Sequence, residues 1–154
     1  MAITLTEDNS YVALEDAESY FEARLNVDSW HDSEEIDKKR ALIMATHAID
    51  QLNFIGEKTY PDQVLQFPRY DDVEIPEAIM EATYECALAF LDGVDIEYEK
   101  EALHVNEQRI GGVKVGYSSI VPEHIIAGIP SYKAWLLLKP FLRGPEDIKL
   151  FRVT

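Results

Sequence analysis

The chain has 154 residues, with 14 lysines and arginines against 29 aspartates and glutamates, so its formal net charge is −15. This length fits one domain, and an apolar fraction of 47% supports a folded core rather than disorder. Proteins that bind nucleic acid or anionic membranes mainly through basic side chains are disfavoured by this mean charge. Cys86 is the only cysteine, which excludes an internal disulfide, and the first residues lack the pattern of a signal peptide. We therefore expect a soluble, intracellular, acidic domain.

The charge is unevenly distributed along the chain. Residues 7–37 carry eleven acids and one base, whereas residues 130–154 carry five bases and two acids. The sequence therefore has an acidic front and a basic end.

Apolar residues at helical spacing predict four helices, over residues 14–25, 34–52, 76–92 and 131–142. Asp32 and Glu35 have the spacing of a capping box before the second helix. Gly93 ends the third, and Pro140 kinks or ends the fourth. The predicted core positions are Leu14, Ala17, Phe21, Leu25, Ala41, Leu42, Ala45, Ala48, Ile49, Leu52, Ile79, Ala82, Cys86, Ala89, Phe90, Ala134, Trp135, Leu137, Leu138 and Phe141.

Two further segments have their own patterns. The long loop 55–75 contains Leu65, Phe67 and Tyr70, which are too apolar to remain in water, so part of this loop should pack down. Residues 105–110 and 113–118 alternate as strands do, and the glycines at 111 and 112 suit a tight hairpin turn.

These elements predict a mainly α fold, namely a small bundle of about four helices with a β-hairpin or extended arm and a C-terminal tail. We expect a single domain over residues 1–154. Its helical core covers about 11–92 and 129–144, the hairpin arm about 102–120, and the tail 145–154.

The residues offer little support for catalysis. The adjacent acids Asp71 and Asp72 suit a solvated surface, and the four histidines lack metal-ligand spacing. Cys86 lies on an apolar helix face, where a buried thiol is the usual role. The glycines near 111 match neither a dinucleotide nor a phosphate loop. We therefore predict a protein without enzymatic activity, cofactor or metal.

Three features are more typical of an interface with a partner, namely the loop around Phe67, the hairpin and the C-terminal tail. Ordinary packing is an equally good interpretation of the first two. The candidate contact residues are Phe67, Arg69, Arg109, Lys114, Tyr117, Lys149, Phe151 and Arg152.

Several segments, taken in order, resemble tailed-bacteriophage head–tail connector proteins, a family often labelled putative DnaT-like single-stranded-DNA-binding proteins. They include the motifs LQFPR and IPEAI. The matching segments are residues 11–24, 39–52, 54–59, 65–69, 75–79, 107–117 and 129–144.

The resemblance implies a structural virion protein of the phage neck, an adaptor or head-completion protein. Such a protein forms a ring, usually of twelve subunits, between the portal protein and a tail or neck component. DNA would pass through its channel without specific binding, and no membrane would be involved. The expected location is the virion neck, with the host cytoplasm before assembly. The alternative is a DnaT-like replication accessory protein that binds single-stranded DNA.

Overall fold

The chain is described from a computed structural model, which covers residues 2–103, 107–116 and 121–144. The described part is a small, mainly α-helical bundle with one two-stranded hairpin, which confirms the predicted fold class. In chain order the elements are α1 (Leu14–Glu22), α2 (Asp28–Asp32), α3 (Glu35–Asp50), α4 (Glu77–Leu91), α5 (Ile96–Leu103), β1 (Glu107–Ile110), β2 (Val113–Gly116), α6 (Glu123–Ile126), α7 (Tyr132–Leu138) and a 3₁₀ turn (Lys139–Phe141).

Helix α4 is the centre of the bundle and packs mainly against α3 and α7. Pro76 precedes it in an extended conformation, and Gly93 follows it with φ +90°, where residues with a side chain are strained. Every residue from Ala82 to Ala89 is buried, so the apolar face is much wider than the narrow stripe that the spacing predicts. A helix covered on several sides loses its amphipathic pattern because few of its positions face water.

The first helix is shorter than predicted, and a second helix follows it at once. Leu25 lies beyond the end of α1 and is 82% exposed, so it is not a core residue. Helix α2 was not predicted because five residues are too few to show a period. It buries Trp30, whose ring lies 4.4 Å from that of Phe21 and whose Nε1 donates to Glu18 over 2.9 Å.

Helix α3 begins without the predicted capping box. Asp32 belongs to the end of α2, and Glu34 occupies the N-cap of α3 with no capping hydrogen bond from its side chain. The core face is close to the predicted one, with Thr46 as an additional buried residue. The Thr46 hydroxyl accepts a hydrogen bond from the main chain of Tyr11 over 3.2 Å, which ties the N-terminal segment to α3.

The second half of the chain contains two unpredicted short helices. Helix α5 forms within residues 92–101, which carry five acids and one base, and Asp95 accepts hydrogen bonds from the main chain of Glu97 and Tyr98. Helix α6 has four residues and starts after Pro122. Helix α7 ends at Leu138, and the chain tightens into the 3₁₀ turn that contains Pro140, as the proline predicts.

The hairpin has the predicted turn and slightly shorter strands. Strands β1 and β2 are antiparallel, with Ile110 opposite Val113 and Arg109 opposite Lys114. Gly111 has φ +63°, which suits the first central position of a two-residue turn. That this hairpin serves as an extended arm stays a prediction.

Glu85 joins three helices in the interior although it carries a charge. It is 3% exposed and accepts hydrogen bonds from Tyr20 Oη at 2.6 Å and Arg24 Nε at 2.7 Å, while Lys133 Nζ lies 3.2 Å away. Burial alone would raise its pKa, but the hydrogen bonds from Arg24, Tyr20 and Lys133 outweigh this effect and hold the pKa below its usual range. Glu85 therefore stays ionised at neutral pH and links α1 and α7 to α4.

Within the described ranges, no helix is long and apolar enough to cross a membrane.

Candidate nucleic-acid interface

The loop between α3 and α4 packs onto the bundle through Phe67. This side chain is 3% exposed, and its ring lies 4.7 Å from Phe54, 5.9 Å from Phe141 and 6.0 Å from Tyr11. Leu65 is buried as well, as predicted. The centre of the loop is therefore anchored in the core.

The same loop forms a small layer of extended chain. One isolated bridge pairs Lys58 with Arg69, and another pairs Phe54 with Leu142. Residues 53–55 therefore pair with residues 141–143, and residues 57–59 pair with residues 68–70. Main-chain hydrogen bonds of 2.8 Å from Ile55 to Phe141 and of 3.0 Å from Thr59 to Pro68 hold these segments together.

Arg69 is buried in this layer and binds only uncharged oxygens. Its Nε donates to the carbonyl of Ile55 at 3.1 Å, and its Nη1 donates to the side-chain oxygen of Gln66 at 2.8 Å. Its Nη2 reaches the carbonyls of Phe54 and Gly56. The guanidinium therefore fixes the course of the loop and adds a positive charge beneath its surface.

Arg143, just after the 3₁₀ turn that follows α7, reaches the same two carbonyls. Its Nε donates to Phe54 at 2.9 Å and its Nη2 to Gly56 at 3.4 Å, but its side chain is exposed. Because both guanidinium groups reach one pair of carbonyl oxygens, two full positive charges are held close together. Because their partners are neutral carbonyls, these two guanidinium groups make no ion pair in the described part of the chain and can attract an incoming anion.

We call one surface region the arginine face; it comprises Lys58, Arg69, Tyr70 and Arg143. In the described part of the chain, none of its three cations makes an ion pair, and the Lys58 ammonium donates only to the carbonyl of Gln63 at 3.3 Å. Tyr70 is 55% exposed and directly follows Arg69. The apolar pattern of the loop predicted that Tyr70 packs down, but its side chain remains half exposed. Its backbone has φ +61°, and its ring lies over Gly56.

The close approach of Tyr70 to Gly56 predicts a specific effect of substitution. A Cβ at Gly56 would lie 2.4–2.9 Å from the Tyr70 ring and would also meet an unfavourable φ of +80°. We expect Gly56→Ala to lower the free energy of unfolding by about 2 kcal/mol and to displace the ring, as followed by chemical denaturation and tyrosine fluorescence. Gly93→Ala is the control because Gly93 has φ +90° with open space around it, and we expect it to cost about 1 kcal/mol. Equal costs would show that the ring contact contributes nothing.

The other predicted contact residues have varied positions. Both Phe67 and Arg69 are buried, with 3% and 6% of their surface exposed, and their role as partner contacts stays a prediction. Arg109 and Lys114 are partners in the hairpin. Tyr117, Lys149, Phe151 and Arg152 lie outside the described residues.

The side chains considered for catalysis can now be placed in the structure. The part of the chain that the structure covers contains no group of three or more histidine, cysteine or acidic side chains that could hold a metal ion. Cys86 is fully buried, as predicted, and burial raises the pKa of its thiol, so the reactive thiolate is disfavoured. Asp71 and Asp72 are both exposed, as expected for solvated acids.

The sequence pattern did not indicate Lys58, Tyr70 or Arg143 as site residues. Arg143 is distant in the sequence from the loop that it contacts, and no local pattern signals that contact. The run of charges could have drawn attention to it. Residues 108–145 carry five bases and one acid, a net +4, while the rest of the chain carries nine bases and 28 acids, a net −19.

The chain matches a protein family over nearly its whole length. The family model, described as "Putative DnaT-like ssDNA binding protein", covers residues 2–153. The chain therefore belongs to this family. Comparison with curated proteins and with solved structures gives no match.

This finding corrects the function inferred from the resemblance. The matching family is described by single-stranded-DNA binding, and nothing in the match points to a head–tail connector. The predicted neck adaptor, its ring with portal and tail proteins, and its passive DNA channel are therefore wrong. The stated alternative, a DnaT-like protein that binds single-stranded DNA, agrees with the family.

Proposed function

We propose that this chain binds single-stranded DNA, with the arginine face as its contact surface. The observation that carries the proposal is the pair Arg69 and Arg143, two neighbouring guanidinium groups without a carboxylate partner. The family description supports the same ligand. The proposal assigns a binding role and includes no catalytic step.

Arg143 is the residue that would contact a phosphate. It is exposed, and its Nη1 makes no hydrogen bond in the described part of the chain, so it has donors left for a phosphate oxygen. Arg69 has all three guanidinium nitrogens bonded internally, so it would act through its charge alone. Lys58 sits opposite Arg69 in the bridge and would supply a second phosphate contact.

Tyr70 would supply the contact to a base. Stacking on an aromatic ring suits any base, and it contributes about 1–3 kcal/mol per base in single-strand binders. The ring is half-exposed and sits beside the cations rather than in the core. Phosphate and base contacts at one place are the combination that a single strand needs and that a duplex, with its bases stacked, does not offer.

The net charge of −15 limits this interaction without preventing it. Repulsion from the acidic regions slows the approach of DNA, and salt screens that repulsion. Two phosphate contacts release few counterions, and each contributes about −0.7 to the slope of log K against log salt. We therefore expect a slope no steeper than about −2.

The central test is the binding of fluorescein-labelled oligo(dT), measured by fluorescence anisotropy at low salt. Arg143→Gln should raise the Kd about tenfold, because it removes a charge-assisted contact of about 1.4 kcal/mol. Arg143→Lys, which keeps the charge, should recover part of the affinity. Tyr70→Leu should weaken binding by a similar factor.

Arg40→Gln is the matched control because it removes the same charge from a surface elsewhere. Arg40 is exposed on α3 and pairs with Asp37 at 2.8 Å. We expect this variant to change the Kd less than twofold. Absence of oligo(dT) binding by the unaltered chain, or equal losses for Arg40→Gln and Arg143→Gln, would contradict the proposal.

A further inference from the structure

A second surface lies between the N-terminal segment and the loop. It is an open groove of about 1150 Å³, and most of its lining comes from residues 3–8, 10–15, 60, 62–65, 67–68 and 73–75. It shares the loop with the arginine face but uses different side chains. The proposed DNA site does not account for it.

The groove is strongly acidic. Its lining includes six carboxylates and one cation, Lys39, and that ammonium is paired with Glu35 at 2.5 Å. The carboxylates belong to Glu7, Asp8, Glu15, Glu35, Asp62 and Glu74. This surface repels nucleic acid and attracts a basic ligand.

The groove also presents apolar side chains to solvent. Val64 is 59% exposed and Val73 is 77% exposed, and both belong to its lining. Ile3, Ile75 and Met80 line it as well and are partly exposed. Apolar surface of this kind gains free energy when a partner covers it.

The N-terminal edge of the groove offers main-chain groups. Residues 2–5 lie outside any helix or strand, with Ile3 and Leu5 partly exposed and Ala2 and Thr4 exposed. In the described part of the chain, the main-chain groups of Ile3 and Leu5 make no hydrogen bond. An extended ligand could pair with this edge as an added strand does.

We propose that this acidic groove binds a short, extended segment of a partner protein that alternates basic and apolar side chains. Lysine or arginine would face the carboxylates, aliphatic side chains would cover Val64 and Val73, and the main chain would pair along residues 3–5. Charge complementarity selects this occupant over DNA. The groove is thus a protein-docking surface, separate from the proposed DNA contact.

The test uses the full chain and a fluorescein-labelled decapeptide of alternating lysine and leucine, followed by anisotropy. Glu15→Lys combined with Glu74→Lys reverses two charges in the groove lining and should raise the peptide Kd at least tenfold. Val73→Ser should raise it about threefold. Arg143→Gln, which weakens the proposed DNA contact, should change the peptide Kd less than twofold, so this result stands or falls independently of the DNA proposal.

Two matched controls test specificity. Glu97→Lys with Glu101→Lys makes the same charge change on exposed positions of α5, and Leu25→Ser removes an exposed apolar side chain outside the groove. Both should change the peptide Kd less than twofold. Equal losses in the groove and control variants would reveal non-specific charge attraction and overturn the proposal.

A gain in peptide affinity on Lys149→Glu with Arg152→Glu would identify the chain's own C-terminal residues as the occupant and would also overturn it.

Discussion

Replacing Glu85 with alanine should lower the free energy of unfolding by about 3 kcal/mol. The substitution removes the acceptor of Tyr20 and Arg24 and the counter-ion of Lys133. Arg24 and Lys133 both reach solvent and can be hydrated again, which keeps the loss at the lower end for a buried ion pair. Urea denaturation monitored by circular dichroism measures the change.

Glu77→Gln is the control for this prediction because Glu77 lies exposed in the first turn of the same helix. It should change the stability by less than about 0.5 kcal/mol.

The effect of Glu85 should also depend on pH. Since folding lowers its pKa, its contribution is fully present above the unfolded-state value near 4.5 and is lost as the pH falls through the folded-state value. A gap between Glu85→Gln and the unaltered chain that stays constant from pH 7 to pH 3 would contradict this account.

Replacing Phe67 with alanine should cost about 4 kcal/mol, because a fully packed aromatic ring leaves a cavity when it is removed. Phe67 is the point at which the loop, the N-terminal segment and the end of α7 meet, through Phe54, Tyr11 and Phe141. Thermal and urea denaturation measure the loss.

Phe67→Leu preserves most of the apolar volume and should cost less than about 1.5 kcal/mol. A loss below 1 kcal/mol for Phe67→Ala would mean that the loop does not depend on this anchor. It would then also remove the structural basis for the arginine face, because Arg69 is held two residues further along the same loop.

Much of the fold follows from local pattern. The apolar spacing in α3 and α4, the proline in the 3₁₀ turn and the paired glycines of the hairpin each correspond to an element of the structure. Local physics determines these features, because helix periodicity, proline geometry and glycine φ act over a few residues. Helices α2 and α6 escaped prediction because four or five residues show too little of a period, and α5 because it buries no residue and lacks a core stripe.

The neck adaptor was inferred from the resemblance, while the mean charge argued against the DNA-binding alternative that the family supports. A net charge of −15 argued against nucleic-acid binding, but it combines a −19 majority with a +4 segment. A ligand responds to the charges within roughly a Debye length, about 10 Å in moderate salt. Mean charge therefore says little about a contact as small as the arginine face.

The sequence by itself determined the helical class, the hairpin turn and the buried, unreactive state of Cys86. Only the tertiary structure decided that Phe67 and Arg69 point inward, that Arg143 joins Arg69 on the same two carbonyls, and that Tyr70 stays exposed beside them. The physical reason is distance along the chain. These contacts join residues near 55, 69 and 143, whose proximity depends on the packing of α3, α4 and α7 rather than on any local preference.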